Sequence, residues 1–460
     1  MTIEEYIESK REEMVETLAR WVRIPSVKGE PSQNAPFGKE VRRCLDTAIA
    51  DLTRLGFSAD DVDGYALRAD MGEGSDEDAL AILGHLDVVP AGDNWDNEPY
   101  SATIKDGKIF GRGTSDDKGP VIASMYAMAA VKAAGIPLKR KVSLILGCDE
   151  ECGMDDIEYY VKHRTLPREG FSPDAAFPVI NTEKGIIHAL LTGKQDNSGL
   201  VISEMNVGSR PNVIPGEASA VINVPDRIKA VAVINDYALE NRISEKLEDV
   251  SEGKLRITVF GKLGHAAMPE DADNALVKLL GLLRALGAKG AVKTLADAFC
   301  PGYDGSGLNI RCEDQISGKL TENIGVLNID ESGNVTATLD IRFPISMSED
   351  ALIKTFGSVL NKGGVDYEIT HLKHAHHVPA ESELVRALVD SYSEVTGKRG
   401  YAYAIGGGTY AACLECGVAF GATHEGEPDM AHQANEYIKL EELVQNALIY
   451  AKAIAALAGK

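Results

Sequence analysis

The sequence predicts an α/β protein interrupted by an inserted α+β block, and three observations carry that prediction. Short apolar, β-branched runs at 81–89 (AILGHLDVV), 141–151 (KVSLILGCDEE) and 174–180 (DAAFPVI) each border a cluster of acid, glycine or histidine. Between the first two lies an Ala- and Met-rich helical pattern, KGPVIASMYAMAAVKAAG (118–135). Strands alternating with such helices build a mixed, largely parallel sheet. From about residue 184 to 378 the texture changes to amphipathic strand patterns, in which apolar and polar residues alternate.

Residues 2–23 and about 37–55 carry apolar side chains at three- and four-residue spacing and read as helices. The 118–135 helix is closed by Gly135 and Pro137. In the middle block the strand candidates GIIHALL, LVISEMNV, ASAVINV, LRITVFG and VTATLDIRF interleave with helices at 226–247, 273–287 and 349–361. After Pro379 come a helix (381–396), a glycine-rich loop (406–408) and a terminal helix (440–458). The expected organisation is therefore one domain built from 1–183 and 379–460, with 184–378 inserted into it.

At 460 residues the chain has room for two or three folded units at about 150 residues each. Apolar residues make up 44% and charged residues 25%, which is ordinary globular usage. The 47 basic against 70 acidic residues leave a net charge of −23, which counts against nucleic acid or an anionic membrane surface as the main partner. The first 22 residues are amphipathic and acidic, unlike a signal peptide, and no run approaches the ~18 apolar residues of a membrane span. Seven cysteines, an odd number without an export signal, are expected to be reduced thiols in a cytoplasmic protein. There is no G-x-S-x-G, P-loop or Rossmann fingerprint.

Three constellations carry chemistry. In GHLDVVP, His85 and Asp87 are two residues apart at a strand end, so their side chains leave on one face. An imidazole that binds metal needs its other nitrogen held by an oxygen, although a capped strand end would read the same way. In GRGTSDDKG, Asp116 and Asp117 precede the Ala-rich helix. They suit either an N-cap with a first-turn acid or a carboxylate set between two cations. In GCDEECG, Glu150 and Glu151 follow a buried strand, where acids are costly unless paired or bound to metal. Asp174 opens the third strand run, and His432 in MAHQANE supplies an imidazole from the far end of the chain. Acids and histidines at the ends of successive strands are what a two-metal site at the carboxyl edge of a sheet requires.

Together, GHLDVVPAGDNW, IFGRGTSDDKGP, the DEE of 149–151, FSPDAAFPVINTEKG and IGGGTYA resemble the PepV-type dipeptidases of the dinuclear zinc exopeptidase family. That family also holds carnosinases, aminoacylases and succinyl-diaminopimelate desuccinylase, and the resemblance runs from about Trp21 to the last helix. It implies a zinc-exopeptidase-like catalytic domain, an inserted lid and two divalent ions per chain, zinc or manganese. His85 and Asp174 would bind one ion, Glu151 and His432 the other, and Asp116 both. Glu150 would be the general base and acid, and Asp87 would orient the His85 ring. A cis peptide is expected at Asp116–Asp117. From the lid, His265 would stabilise the oxyanion. Arg342, Asn212 and the backbone of Gly406, Gly407 and Gly408 would bind substrate, Arg342 through its planar fork.

The implied activity is hydrolysis of dipeptides with a free N-terminus, with lid closure over the substrate. A deacylase of N-acetyl or N-succinyl amino acids is the nearest alternative, disfavoured because desuccinylase-type chains lack so long a lid. A binding protein that merely keeps the fold would have no need of Glu150. The large lid fills the space of a partner subunit in dimeric relatives, so a monomer is expected. The chain departs from the family pattern at Ala412, where an arginine often follows GGGTYA. HLKHAHH (371–377) reads as a solvated linker, Cys148 and Cys152 as buried packing residues, and the Cys413/Cys416 pair as half a zinc site at most.

Overall fold

The computed structural model describes residues 1–460 and divides the chain into two units. The first comprises residues 1–181, 377–403 and 408–460, and the second residues 182–376 with 404–407.

The first unit is organised by a nine-stranded sheet. Its order is Ala59–Val62, Ala66–Met71, Val142–Gly147, Leu80–His85, Glu169–Ser172, Cys416–Ala419, Val179–Glu183 and His376–His377, with Ala402–Ile405 added beside Val179–Glu183. Val142–Gly147, Leu80–His85, Glu169–Ser172 and Cys416–Ala419 run parallel to one another, whereas Ala59–Val62 and Ala66–Met71 on one side and Val179–Glu183 on the other pair antiparallel. Every residue of Leu80–His85 and Val142–Gly147 is buried. Leu80 and Ile82 join the main core with helices Arg11–Val22, Lys39–Arg54, Lys118–Ala133 and Leu440–Ala458, whereas Ala81 and Leu83 face a smaller core with Ile157, Tyr160 and Tyr410. A sheet covered on both faces needs apolar residues at every position, which is why these strands read as unbroken apolar runs.

The second unit is an antiparallel eight-stranded sheet, ordered Ser244–Ser251, Lys254–Phe260, Glu217–Asn223, Ile202–Val207, Thr321–Ile329, Asn334–Phe343, Gly185–Lys194 and Val365–Lys373. Alternate residues Ile187, Ala189 and Leu191, and Val335, Ala337, Leu339 and Ile341, join one core with helices Ala275–Ala285, Ala291–Phe299 and Glu349–Lys362. This is the period-two pattern of a sheet packed on one face.

Several elements differ from their sequence reading. The 226–247 pattern is a helix only over Arg227–Asn241; Arg242 turns left-handed (φ 54°) and the chain enters the charged edge strand Ser244–Ser251. The 2–23 pattern is two helices, Ile3–Ser9 and Arg11–Val22, separated at Lys10. The 174–180 run is not one strand: the parallel strand is Glu169–Ser172, and Val179–Glu183 is a separate one. Residues 371–373 are no linker but the end of Val365–Lys373, where His371 pairs with His188. All seven cysteines are free thiols, and Cys148 is buried, but Cys152 is exposed. No helix is long and apolar enough to cross a membrane.

Candidate functional site

Three adjacent parallel strands, Val142–Gly147, Leu80–His85 and Glu169–Ser172, deliver acids and an imidazole at their carboxyl ends. His85 is the last residue of its strand, Glu150 and Glu151 lie in the turn after Gly147, and Asp174 follows Ser172. In open α/β sheets ligand sites form at such edges. The alternation that sends Ala81 and Leu83 to the smaller core also sends His85 to that face, where its ring meets Tyr410 edge-on, centroids 6.5 Å apart.

Each imidazole meets a different oxygen of one carboxylate. His85 Nε2 lies 3.0 Å from Asp116 Oδ1 and 3.6 Å from Asp174 Oδ2. His432 Nε2 lies 3.1 Å from Asp116 Oδ2 and 2.9 Å from Glu151 Oε2. Two three-residue donor groups result, His85–Asp116–Asp174 and Asp116–Glu151–His432, each with its donor atoms within 4.8 Å of one another. His85 Nδ1–H donates to the Asp87 carbonyl (3.0 Å), which leaves Nε2 as the ligating nitrogen. The donor set thus fits two divalent cations: two imidazoles, three carboxylates, one of them shared, and a fixed tautomer.

Asp87 does more than orient a ring. Its carboxylate lies 3.5 Å from His85 Nδ1 and accepts the backbone N–H groups of Glu150 and Glu151, both at 3.2 Å. The 116–117 peptide is cis, as expected. Asp117 stands at the N-cap of the Lys118–Ala133 helix, but its side chain makes no cap bond; its Oδ2 accepts the backbone N–H of His85 at 3.1 Å. That approach requires Gly84, because a Cβ there would lie 2.6 Å from Asp117 Oδ2 and 2.5 Å from Val121 Cγ2.

The electrostatics follow from crowding acids in a buried cleft. Burial, reinforced by the Asp174 charge, raises Glu150 and Asp117, and burial with Asp116 raises Asp174. Glu151 is pushed up to about 7 by burial and Asp116. Hydrogen bonds to Asp116 and Glu151 push His432 up to about 11. Burial alone would raise Asp116, yet His432 and His85 outweigh it and hold Asp116 below the usual carboxylate range. A bound cation would reverse the first group of shifts by stabilising the charged carboxylates.

Sequence reasoning missed the residues that hold this cluster in place. Glu436 is fully buried and accepts from Arg112 Nη1 (2.7 Å) and from the backbone N–H groups of Gly113 (3.1 Å), Ser115 (2.8 Å) and Asp116 (3.2 Å). Arg112 Nη2 also donates to the His432 carbonyl at 3.3 Å. One buried ion pair therefore ties the His432 loop to the Asp116 loop. The signal was a charged residue in each of two motifs otherwise read for their metal ligands.

The remaining predicted residues lie in the second unit, apart from Gly408, which belongs to the first. His265 pairs with Val213 in a two-stranded ladder, and its Nδ1 accepts from Ala267 N at 3.1 Å. The Asn212 carbonyl accepts from Ala266 N at 2.9 Å. Arg342 spends Nε and Nη2 on the two oxygens of Asp340, both at 2.7 Å, and Nη1 donates to the Gly406 carbonyl at 2.9 Å. Gly406 sits against Ala267, 3.0 Å from where its own Cβ would be, whereas Gly407 would meet nothing closer than Ile405 Cδ1 at 3.5 Å. Asn212, His265, Arg342 and Gly406 are thus neighbours within that unit, and all three guanidinium nitrogens of Arg342 are engaged inside it.

Comparison with known proteins gives the family. The model of peptidase family M20/M25/M40 matches residues 81–456. YtjP of Bacillus subtilis (strain 168) is 36% identical over 461 residues, covering 98% of each chain. A protein of Lactobacillus delbrueckii subsp. lactis named Beta-Ala-Xaa dipeptidase is 32% identical over 467 residues, covering 99% of this chain and 98% of its own. The crystal structure of human carnosine dipeptidase 1 shares the fold, with a TM-score of 0.60 at 17% identity over 99% of this chain and 98% of that one. With more than three quarters of its length matched and two full-length relatives above 30% identity, the chain belongs to peptidase family M20/M25/M40.

Proposed function

We propose that the protein is a two-metal dipeptidase that hydrolyses unblocked dipeptides, including those that begin with β-alanine. The observation that carries this reading is the shared Asp116 carboxylate, whose oxygens face two imidazoles 3.0 and 3.1 Å away. The name of the Lactobacillus relative, Beta-Ala-Xaa dipeptidase, supports the substrate class. His85, Asp116 and Asp174 would hold one ion and Asp116, Glu151 and His432 the other, zinc or manganese. When bound, the two ions would polarise the scissile carbonyl and lower the pKa of water.

Glu150 is the general base and acid: half-buried beside Asp174 and Glu151, it takes a proton from the attacking water and returns it to the leaving amine. Its backbone N–H, held by Asp87, keeps it at the cleft. His265 is proposed to stabilise the oxyanion, and Asn212, Arg342 and Gly406–Gly408 to bind substrate. The net charge of −23 and the seven free thiols support a cytoplasmic protein, which we read as a monomer.

The test is hydrolysis by metal-stripped protein remade with zinc or with manganese, given unblocked dipeptides, β-alanyl dipeptides and N-acyl amino acids side by side. Cleavage of the unblocked peptides is expected. Cleavage confined to the N-acyl compounds would move the enzyme to the deacylases. Glu150→Gln should lose about 10²–10⁴-fold in turnover while still binding manganese; near-normal turnover would remove Glu150 from its role.

A further inference from the structure

Two fully buried polar side chains behind the glutamates have no part in the mechanism so far. Asp156, near the start of helix Asp155–His163, and Tyr410, in the short helical turn Tyr410–Cys413, lie on the face of the sheet to which His85 also points. Asp156 Oδ2 accepts the backbone N–H groups of Cys148 and Asp149 and the hydroxyl of Tyr410. Asp87 accepts the next two N–H groups, those of Glu150 and Glu151. Four successive amides, 148 to 151, are thus held by two buried carboxylates, Asp156 first and Asp87 after it. The Val142–Gly147 strand is shaped to admit this arrangement. A Cβ on Gly147 would lie 2.2 Å from the Tyr410 hydroxyl and 2.4 Å from Asp156 Oδ2.

From this we infer that Asp156 and Tyr410 are a positioning pair that sets the direction in which Glu150 and Glu151 leave the strand. Neither touches a reacting atom. Asp156 fixes the first half of the turn, Asp87 the second, and Tyr410 fixes Asp156 while its ring braces His85. A pair that only filled the smaller core would need neither a hydroxyl nor a carboxylate, since Phe and Leu fill the same space without the cost of burying polar groups. The inference rests on Glu151 being a metal ligand. Partners that orient ligands in this way are worth about 10–100-fold in metal affinity or activity.

The experiment titrates metal-stripped protein with manganese by calorimetry for wild type, Tyr410→Phe, Asp156→Asn and Glu151→Gln. Thermal unfolding of each stripped protein and kcat and KM with a β-alanyl dipeptide are measured in parallel. For Tyr410→Phe the stripped protein should unfold within a few degrees of wild type and KM should stay unchanged. One of two manganese steps should weaken 10–100-fold, and kcat should fall at least about tenfold. Asp156→Asn should weaken the same step, and it carries the test if Tyr410→Phe does not fold. Wild-type manganese binding and kcat in both variants, beside an impaired Glu151→Gln, would overturn the positioning pair alone. An unchanged titration in Glu151→Gln would overturn the ligand assignment and the inference with it.

Discussion

Two buried clusters of charge, one in each unit, are built on opposite principles. In the second unit Asp340 is closed on itself: both oxygens meet the Arg342 fork at 2.7 Å, and Oδ2 also lies 3.0 Å from His188 Nε2. Burial would raise its carboxyl, but His188 and Arg342 bring it down to about 2. In the first unit Asp87, Asp116, Asp117, Glu150, Glu151 and Asp174 crowd around His85 and His432, and none of the six pairs with Lys or Arg. There Glu150, Asp117 and Asp174 are raised and Glu151 reaches about 7. The same side-chain chemistry moves in opposite directions because two counter-charges neutralise one carboxylate in the second unit, whereas in the first two imidazoles face six acids and only Asp116, which meets both, is held down. A buried set of acids that outnumbers its cationic side chains is stable only when the excess is protonated or bound to cations.

The sharpest way to break this contrast is to remove the shared carboxylate. Asp116→Ala should cost several kcal/mol of transition-state stabilisation, about 10³-fold or more in kcat/KM, and lower the metal content of the purified protein. Turnover within tenfold of wild type would mean that the two donor groups do not act as one centre. Next in size is metal removal. If the acids wait for cations, chelation should lower the melting temperature by roughly 4–7 °C, the equivalent of about 4 kcal/mol of ligand binding. A variant in the second cluster should leave that shift unaltered.

The two imidazoles should then part company. The His85 side chain is fully buried, whereas that of His432 is 51% exposed. In stripped protein His85→Ala should cost about 3 kcal/mol by leaving buried acids without a partner. His432→Ala should change stability by no more than about 0.5 kcal/mol while still abolishing turnover. Equal melting temperatures for the two would contradict the difference in their surroundings.

A smaller loss than that of His85→Ala belongs to the self-neutralised cluster. The Asp340 carboxyl is lower in the folded chain than its ordinary value near 3.8. Its stabilising contribution is therefore present above about pH 4 and lost as the pH falls through about 2. The stability gap between wild type and Asp340→Asn should be about 2 kcal/mol at neutral pH and shrink between pH 4 and pH 2. A gap that does not vary with pH would show that packing, not charge, is what Asn disturbs.

The sequence reading succeeded where periodicity and chemistry coincide. The apolar runs ending in His85 and before Glu150 are parallel strands buried on both faces, and the residues that the family resemblance drew together, His85, Asp116, Glu151, Asp174 and His432, lie in two donor groups. It failed where a residue's role depends on burial that no local pattern reveals. Glu436 reads as a loop acid and Asp156 as a first-turn acid, yet each is a buried acceptor for successive backbone amides. Glu169–Ser172 is too short to announce itself, although Asp174 depends on it. Ser244–Ser251 carries edge-strand charges that continue a helical reading, and the histidines of 371–377 conceal a strand end.

The place of Cys416–Ala419 in the first sheet has a consequence for how the enzyme comes into being. That strand lies between Glu169–Ser172 and Val179–Glu183, so about 240 residues of chain must be synthesised before the gap they leave can be filled. Until then both neighbours present bare edges, the kind of surface that recruits other chains. His432 and Glu436 come later still, so a nascent chain holds His85, Asp116, Glu151 and Asp174 long before it holds the residues that complete and lock their arrangement. A chain that stalls before His432 lacks one imidazole of the second donor group.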